Sequence, residues 1–329
     1  MTVEPRILHL NDCAFVGRQL VEAAARSGRR WDYLPPERVR PATVPANPLL
    51  AKATYARFVA DRALHVGRAD VVHVHYGTTA RLLRERGIPR RPYVLTLHGT
   101  DIREQWQDPR FHDEIQRGID EAAHVYYTNL DTVEQATTAR ADAEYLPAFV
   151  DLTQLPAWTP DPRPTVVFAS RWDDIKGAAA NLDLARALGR ALPEVRLVGL
   201  DWGAHAAAAG ELVELLPRTD HAGYLCLLAT AHVAVGQARD VLGVSEFEAM
   251  AIGVPTAILG ERIPRPDDGT TPPVLEGTVD EVVAQVREAL ADPAAASARL
   301  DARSWVAERH VADPVVPRLV ATYQAAARG

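Results

Sequence analysis

The chain has 329 residues, 47% of them hydrophobic, and a formal net charge of −7. That length accommodates two α/β domains, and an acidic total with no basic run interleaved with aromatics excludes a nucleic-acid binder. No run approaches the roughly 18 apolar residues of a membrane span, and the N-terminus lacks a basic segment followed by a long apolar core, so the expected location is cytoplasmic.

Residues 6–10 (RILHL) read as the first strand, ending at Asn11 and Asp12, with Gly17 in the next turn and a helix over about 18–26. A second strand covers 31–34. Residues 35–48 are proline-rich and irregular, a long connection of the kind that lines sites. A helix over about 49–66, the strand 70–75 (DVVHVH) and a helix over about 79–86 come next. The strand 92–97 exits into His98, Gly99, Thr100 and Asp101. A helix over 111–121, a strand over 124–128, a helix over 131–140 and a short strand over 144–146 complete the first half. Apolar strands alternating with amphipathic helices predict a doubly wound parallel sheet. Ligands to such sheets collect at the carboxyl ends of strands, where Asn11, Tyr76, Gly77 and His98 stand.

Residues 147–164 carry five prolines and read as a linker. A second alternating set follows: strand 165–169, helix 177–191, strand 195–200, a weak strand over 212–216, helix 224–229 and strand 232–236. Then come a loop, a helix opening near Val244, a break at Gly253, Val254 and Pro255, and a buried strand reaching Gly260. Residues 262–273 form another proline-rich loop, and helices are expected over 279–291 and 294–308. The segment 314–327 has Val315, Leu319 and Tyr323 at helical spacing. The expected domains are 1–155, 156–310 and a terminal helix over 311–329 that crosses back to the first.

The chemistry concentrates in the second half. Asp240 opens the loop before the Val244 helix, and Glu248 lies eight residues on. Between them Gly243, Val244 and Ser245 would present backbone N–H groups at a helix N-terminus, a ready site for phosphate. A carboxylate just beyond suits ribose hydroxyls. Arg171 and Lys176 flank the turn after the first strand of this half, where two cations suit a diphosphate and the charge that grows as it departs. Lysine is otherwise nearly absent, Lys52 being the other one. The plainer alternative is a pair of solvated charges at a turn and an amphipathic helix with exposed acids at Glu246 and Glu248. No Asp-x-Asp stands at a strand end, so no metal is expected on the diphosphate. Cys13 and Cys226 are far apart without spaced partners, against a cysteine-held metal or a disulfide framework.

The run DVLGVSEFEAMAIGVP, with Asp240, Gly243, Glu248-Ala249-Met250-Ala251, Gly253 and Pro255 in register, resembles the acid-x7-Glu signature of family-4 glycosyltransferases. Asp240 stands where that family usually has Glu. Ser170 to Gly177 resembles the family's G-R-x4-K-G turn, and His98 to Asp101 (HGTD) a common variant of its strand-end histidine. The resemblance implies a GT-B fold, two Rossmann-like doubly wound domains facing across a cleft, and retaining transfer from a nucleotide diphosphate sugar to an acceptor hydroxyl. It implies Glu248 on ribose, Arg171 and Lys176 on diphosphate, the amides of Gly243, Val244 and Ser245 as donors, and Asp240 and His98 on the donor sugar. Gly17 would approach the donor phosphate, and the first domain would bind the acceptor through 35–48, Tyr76, Gly77 and the His98 loop. The reaction would be metal-independent, with no cofactor beyond the nucleotide-sugar substrate. Two other classes remain open: a sugar-nucleotide epimerase or hydrolase, and a non-catalytic GT-B nucleotide-binding module. Residues through Arg91 carry net +8, which suits either solvated arginine-rich helices or a weak peripheral contact with an anionic membrane face.

Overall fold

A computed structural model describes residues 4–329, so residues 1–3 of the first expected domain lie outside the described residues. The chain divides into two compact units, one running through Phe149 and resuming at Ala312–Gly329, the other Val150–Val311. Each is an α/β unit built on a six-stranded, wholly parallel sheet.

The first sheet contains β1 (Ile7–Leu10), β2 (Asp32–Leu34), β3 (Val71–His75), β4 (Tyr93–Leu97), β5 (His124–Tyr127) and β6 (Glu144–Tyr145), in spatial order 2-1-3-4-5-6. Alternation along these strands sends Leu8, Leu10, Val72, Val74, Leu95 and Leu97 to one face, where they pack with Ile102, Ile115 and Ile119. The opposite face takes Ile7, Val71, Val94 and Tyr126, together with Val16 and Leu20, and is covered by the helix Val316–Ala326 through Leu319 and Tyr323. Register places His9 beside His73 and His75 beside Thr96, so three histidines and a threonine share that face. Period-2 strands flanked by helices on both sides bury nearly continuous apolar runs, as parallel sheets require.

The second sheet contains β7 (Thr165–Phe168), β8 (Arg196–Leu200), β9 (Glu214–Leu216), β10 (Val233–Val235), β11 (Thr256–Leu259) and β12 (Leu275–Gly277), in spatial order 12-11-10-7-8-9. Its helices Ala178–Ala191 and Val279–Ala291 share one core, in which Leu184, Leu188, Val282 and Val286 meet Val166, Phe168 and Val233. The helix Val244–Ile252 packs with Leu242, Met250 and Ala251 against Val306.

Four local expectations need correction. The helix over 79–86 is a 3-10 helix at Gly77–Arg84. The irregular stretch 35–48 includes a short helix, Pro36–Val39, with proline at the helix start, where its missing N–H costs nothing. The single helix over 294–308 is two, Pro293–Leu300 and Ala302–Arg309, because Asp301 adopts φ 49° and ends the first. Strand β12 went unforeseen, three residues being too few to show a period. Among the described residues no helix is long and apolar enough to cross a membrane.

Candidate functional site

In the second unit the turn after β7 and the loop after β10 close on one another. Gly177 takes φ +72°, and a Cβ there would lie 2.3 Å from the Ala238 carbonyl oxygen, so only glycine permits the approach. The Ala238 N–H donates to the Lys176 carbonyl at 3.0 Å, and Asn181 Nδ2 donates to the Gly236 carbonyl at 3.1 Å. Lys176 Nζ is thereby directed onto Gln237 Oε1 at 2.7 Å, and it stands 3.8 Å from where a Gly243 Cβ would be. Gln237 is itself fixed, its Nε2 donating to the Val241 carbonyl at 2.6 Å. One lysine therefore reaches the mouth of the helix Val244–Ile252.

The helix mouth departs from expectation in one donor. The Gly243 N–H donates to Glu246 Oε2 at 2.7 Å, while Glu246 Oε1 accepts the Gln237 N–H at 2.8 Å. The Gly243 amide, expected as a donor for phosphate, is engaged by Glu246 in this structure. Glycine has no side chain to cap the helix, so the N3 glutamate folds back to do part of that work. Val244 and Ser245 occupy the first turn, whose N–H groups have no intrahelical acceptor. Neither acid of this helix is exposed: Glu246 is 1% and Glu248 4% accessible. Glu248 Oε1 pairs with His221 Nε2 at 2.7 Å. The amphipathic-helix alternative, which needs both acids in water, fails.

Arg171 is anchored differently. Its Nε lies 2.7 Å from Asp173 Oδ2, close enough to pair but misaligned for a hydrogen bond, and its guanidinium lies over Trp202 at 5.5 Å. Arg218 lies over the same ring at 4.4 Å. Asp240 is exposed, with Oδ1 3.0 Å from where a Gly260 Cβ would be, and its charge acts on Arg262. Arg262 bonds Glu276 at 2.9 Å, and burial lowers its pKa.

In the first unit His98 ends β4 and is nearly buried. Its backbone N–H donates to Asp101 Oδ1 at 2.9 Å, and Asp101 also accepts from the amides of Ile102 (3.1 Å) and Gly77 (2.7 Å). Asp101 thus ties the exits of β3 and β4 together; burial lifts its pKa to about 6, against three amides that favour its charge. The ring of His98 meets His75, Nε2 to Nδ1 at 3.2 Å, and burial pushes both imidazoles down to about 3. Gly17, expected to approach the donor phosphate, has its amide bonded within the first unit. Its N–H donates to Asp12 Oδ1 at 2.9 Å, and a Cβ would lie 3.0 Å from His75 Nε2, so its task is to admit that ring. Asn11 and Tyr76 hold φ of 69° and 84°, backbone strain of the kind that gathers at functional strand ends. Beside them opens a pocket of about 400 Å³ lined by Asp12, Pro36, Arg40, Tyr76 and Arg81 among others.

Gln237, His221 and the histidines behind His98 carried no signal in the sequence, because their partners are distant in the chain. Glu246 did carry one, three residues past the helix-opening glycine.

The two parallel sheets and their connections define a GT-B fold, two Rossmann-like doubly wound units. Sucrose-phosphate synthase of Thermosynechococcus elongatus superposes with a TM-score of 0.69 at 18% identity, covering 97% of this chain and 98% of that one. The catalytic domain of starch synthase IV of Arabidopsis thaliana, bound to ADP and acarbose, gives 0.69 at 14% identity over 99% and 100%. HepE of Anabaena in complex with UDP gives 0.64 at 14% identity over 97% and 99%. Identities this low establish a shared fold. Compared by sequence, the chain matches no protein-family model and no curated protein.

Proposed function

We propose that this protein is a retaining, metal-independent glycosyltransferase of the family-4 kind, moving a sugar from a nucleoside diphosphate to an acceptor hydroxyl. The observation that carries the reading is Lys176 Nζ beside Gly243 at a helix N-terminus, with the buried carboxylate of Glu248 one turn further on. In this reading Lys176 and the amides of Val244 and Ser245 hold the diphosphate, and Glu248 accepts from the ribose. Arg171 swings from Asp173 to add a second cation. Asp240 and His98 address the transferred sugar, and the pocket at Asp12, Arg40 and Tyr76 receives the acceptor. Its mixed charge and hydroxyl lining suit a polyhydroxylated ligand. The bond from the anomeric carbon to the diphosphate oxygen breaks, the bond to the acceptor oxygen forms on the same face, and the acceptor proton passes to the leaving phosphate. Fixed cations and dipoles stabilise the charge gathering on that phosphate.

Lys176→Ala should slow transfer about 10²–10³-fold, the usual cost of removing one such donor, with unchanged melting. Thermal-shift screening of UDP, GDP, ADP and TDP sugars identifies the donor; no shift with any of them, or full turnover in Lys176→Ala, would sink the assignment. Incubating the donor alone separates transfer from epimerisation or hydrolysis, which need no acceptor. Liposome co-sedimentation at low and high salt tests a salt-dependent membrane contact of the basic first segment.

A further inference from the structure

Behind His98 the first unit buries an unbroken chain of hydrogen bonds. Thr96 Oγ1 meets His73 Nε2 at 2.7 Å, and His73 Nδ1 meets the Tyr323 hydroxyl at 2.6 Å. The Tyr323 hydroxyl meets His9 Nε2 at 3.3 Å, His9 Nδ1 meets His75 Nε2 at 3.1 Å, and His75 Nδ1 meets His98 Nε2 at 3.2 Å. Thr96, His73, Tyr323, His9 and His75 are each 1% accessible or less. Every ring nitrogen of the inner three histidines is used, and His98 Nδ1 is the nitrogen left outside the chain.

A neutral imidazole has one donor and one acceptor nitrogen, and a hydroxyl donates one proton. Deep burial holds the inner rings neutral. Three arrangements then satisfy all five bonds: every donor pointing toward His98, every donor pointing away, or both halves donating into the Tyr323 oxygen. The two hydroxyl protons select among them. Among the described residues the Thr96 hydroxyl has His73 Nε2 as its hydrogen-bond partner and the Tyr323 hydroxyl has His73 Nδ1 and His9 Nε2, and a buried hydroxyl proton without an acceptor is costly, so each hydroxyl must donate into the chain. Thr96 therefore donates, His73 Nδ1–H donates to Tyr323, Tyr323 donates to His9, His9 Nδ1–H to His75, and His75 Nδ1–H to His98 Nε2.

We propose that this chain sets the tautomer of His98, fixing its proton on Nδ1, so that His98 offers an N–H donor rather than a basic lone pair at the end of β4. Thr96, His73, Tyr323, His9 and His75 are positioning residues acting through it. The use of that donor on a sugar oxygen rests on the function proposed above; the tautomer itself does not.

The test is nitrogen-15 NMR of the full chain with labelled histidine, the His98 signals among the eleven histidines being identified by their loss in His98→Gln. Wild type should show His98 protonated at Nδ1. Thr96→Val removes the terminal donor in the same volume and should yield a mixture of tautomers, Tyr323→Phe should do the same by cutting the chain midway, and Thr96→Ser should restore the single form. Under the proposed activity, Thr96→Val should lower kcat about tenfold with KM little changed, the scale of one hydrogen bond, and Thr96→Ser should recover it. Protonation of His98 at Nε2 in wild type would overturn the proposal, as would an unaltered tautomer in both Thr96→Val and Tyr323→Phe. So would stoichiometric zinc uptake, since His9, His73 and His75 offer nitrogens within 4.8 Å of one another. If the tautomer behaves as stated while Lys176→Ala retains full turnover, the relay stands and the transfer reading falls.

Discussion

At the scale of single residues, the second-unit site depends on backbone approach before it depends on charge. Gly177 must hold a left-handed φ and leave no Cβ against the Ala238 carbonyl. Gly177→Ala should destabilise the chain by about 2–4 kcal/mol, strain and overlap acting together, read as a fall in the urea midpoint. It should also weaken nucleotide binding, because the Lys176 carbonyl is bonded to the displaced Ala238 amide. Retained stability and affinity would show that the two loops part without cost. In the first unit, Gly17→Ala pushes on His75 Nε2, and under the proposed function it should leave nucleotide affinity unchanged.

Among the elements, the helix Val244–Ile252 is the informative one. Its mouth is closed by Glu246, which takes the Gly243 and Gln237 amides on separate oxygens. Glu246→Gln exchanges one acceptor for an NH2 facing an N–H. The expected cost is about 1–3 kcal/mol, the penalty for a buried donor left without an acceptor, checked by thermal melting. Because Gln237 also positions Lys176, the variant should lose nucleotide affinity more than a cap lost elsewhere, such as Thr278→Ala on the helix Val279–Ala291, whose hydroxyl accepts from the Glu281 amide. Equal affinity in the two variants would separate the cap from the site. The pattern from Asp240 to Pro255 was enough to foresee this helix and its acids, yet gave no hint that they were buried. Burial is decided by which elements close over a helix, here Gly236 and Gln237 over Glu246, and His221 over Glu248.

For the molecule as a whole, pH is the sharpest probe. Four neutral histidines, His9, His73, His75 and His98, lie inside the first unit with pKa values lowered by burial, to about 3 for His75 and His98 against an ordinary 6.5. A base depressed in the folded state leaves the unfolded chain binding more protons, so stability is intact above 6.5 and is lost as the pH falls toward 3. Asp101 works the opposite way: its folded value of about 6 lies above the ordinary 3.8, so its burden appears as the pH climbs between those values. Four groups outweigh one, and the unfolding free energy from denaturant titrations should fall steadily on acidification from pH 6.5, by several kcal/mol in order of magnitude by pH 4. A flat profile across that range would mean that water reaches the rings.

The sequence by itself determined the two parallel sheets, most helices and the turns that carry Arg171, Lys176 and Asp240, because periodicity, prolines and glycines are local properties. Tertiary structure alone decided which groups meet. Gln237 came to Lys176, His221 to Glu248, and Tyr323 entered among His9, His73 and His75 from 250 residues further on. It also gave the Gly17 and Gly243 amides partners within the protein, Asp12 and Glu246. A hydrogen bond is a matter of distance and direction in space, and no spacing along the chain encodes that for residues brought together by packing.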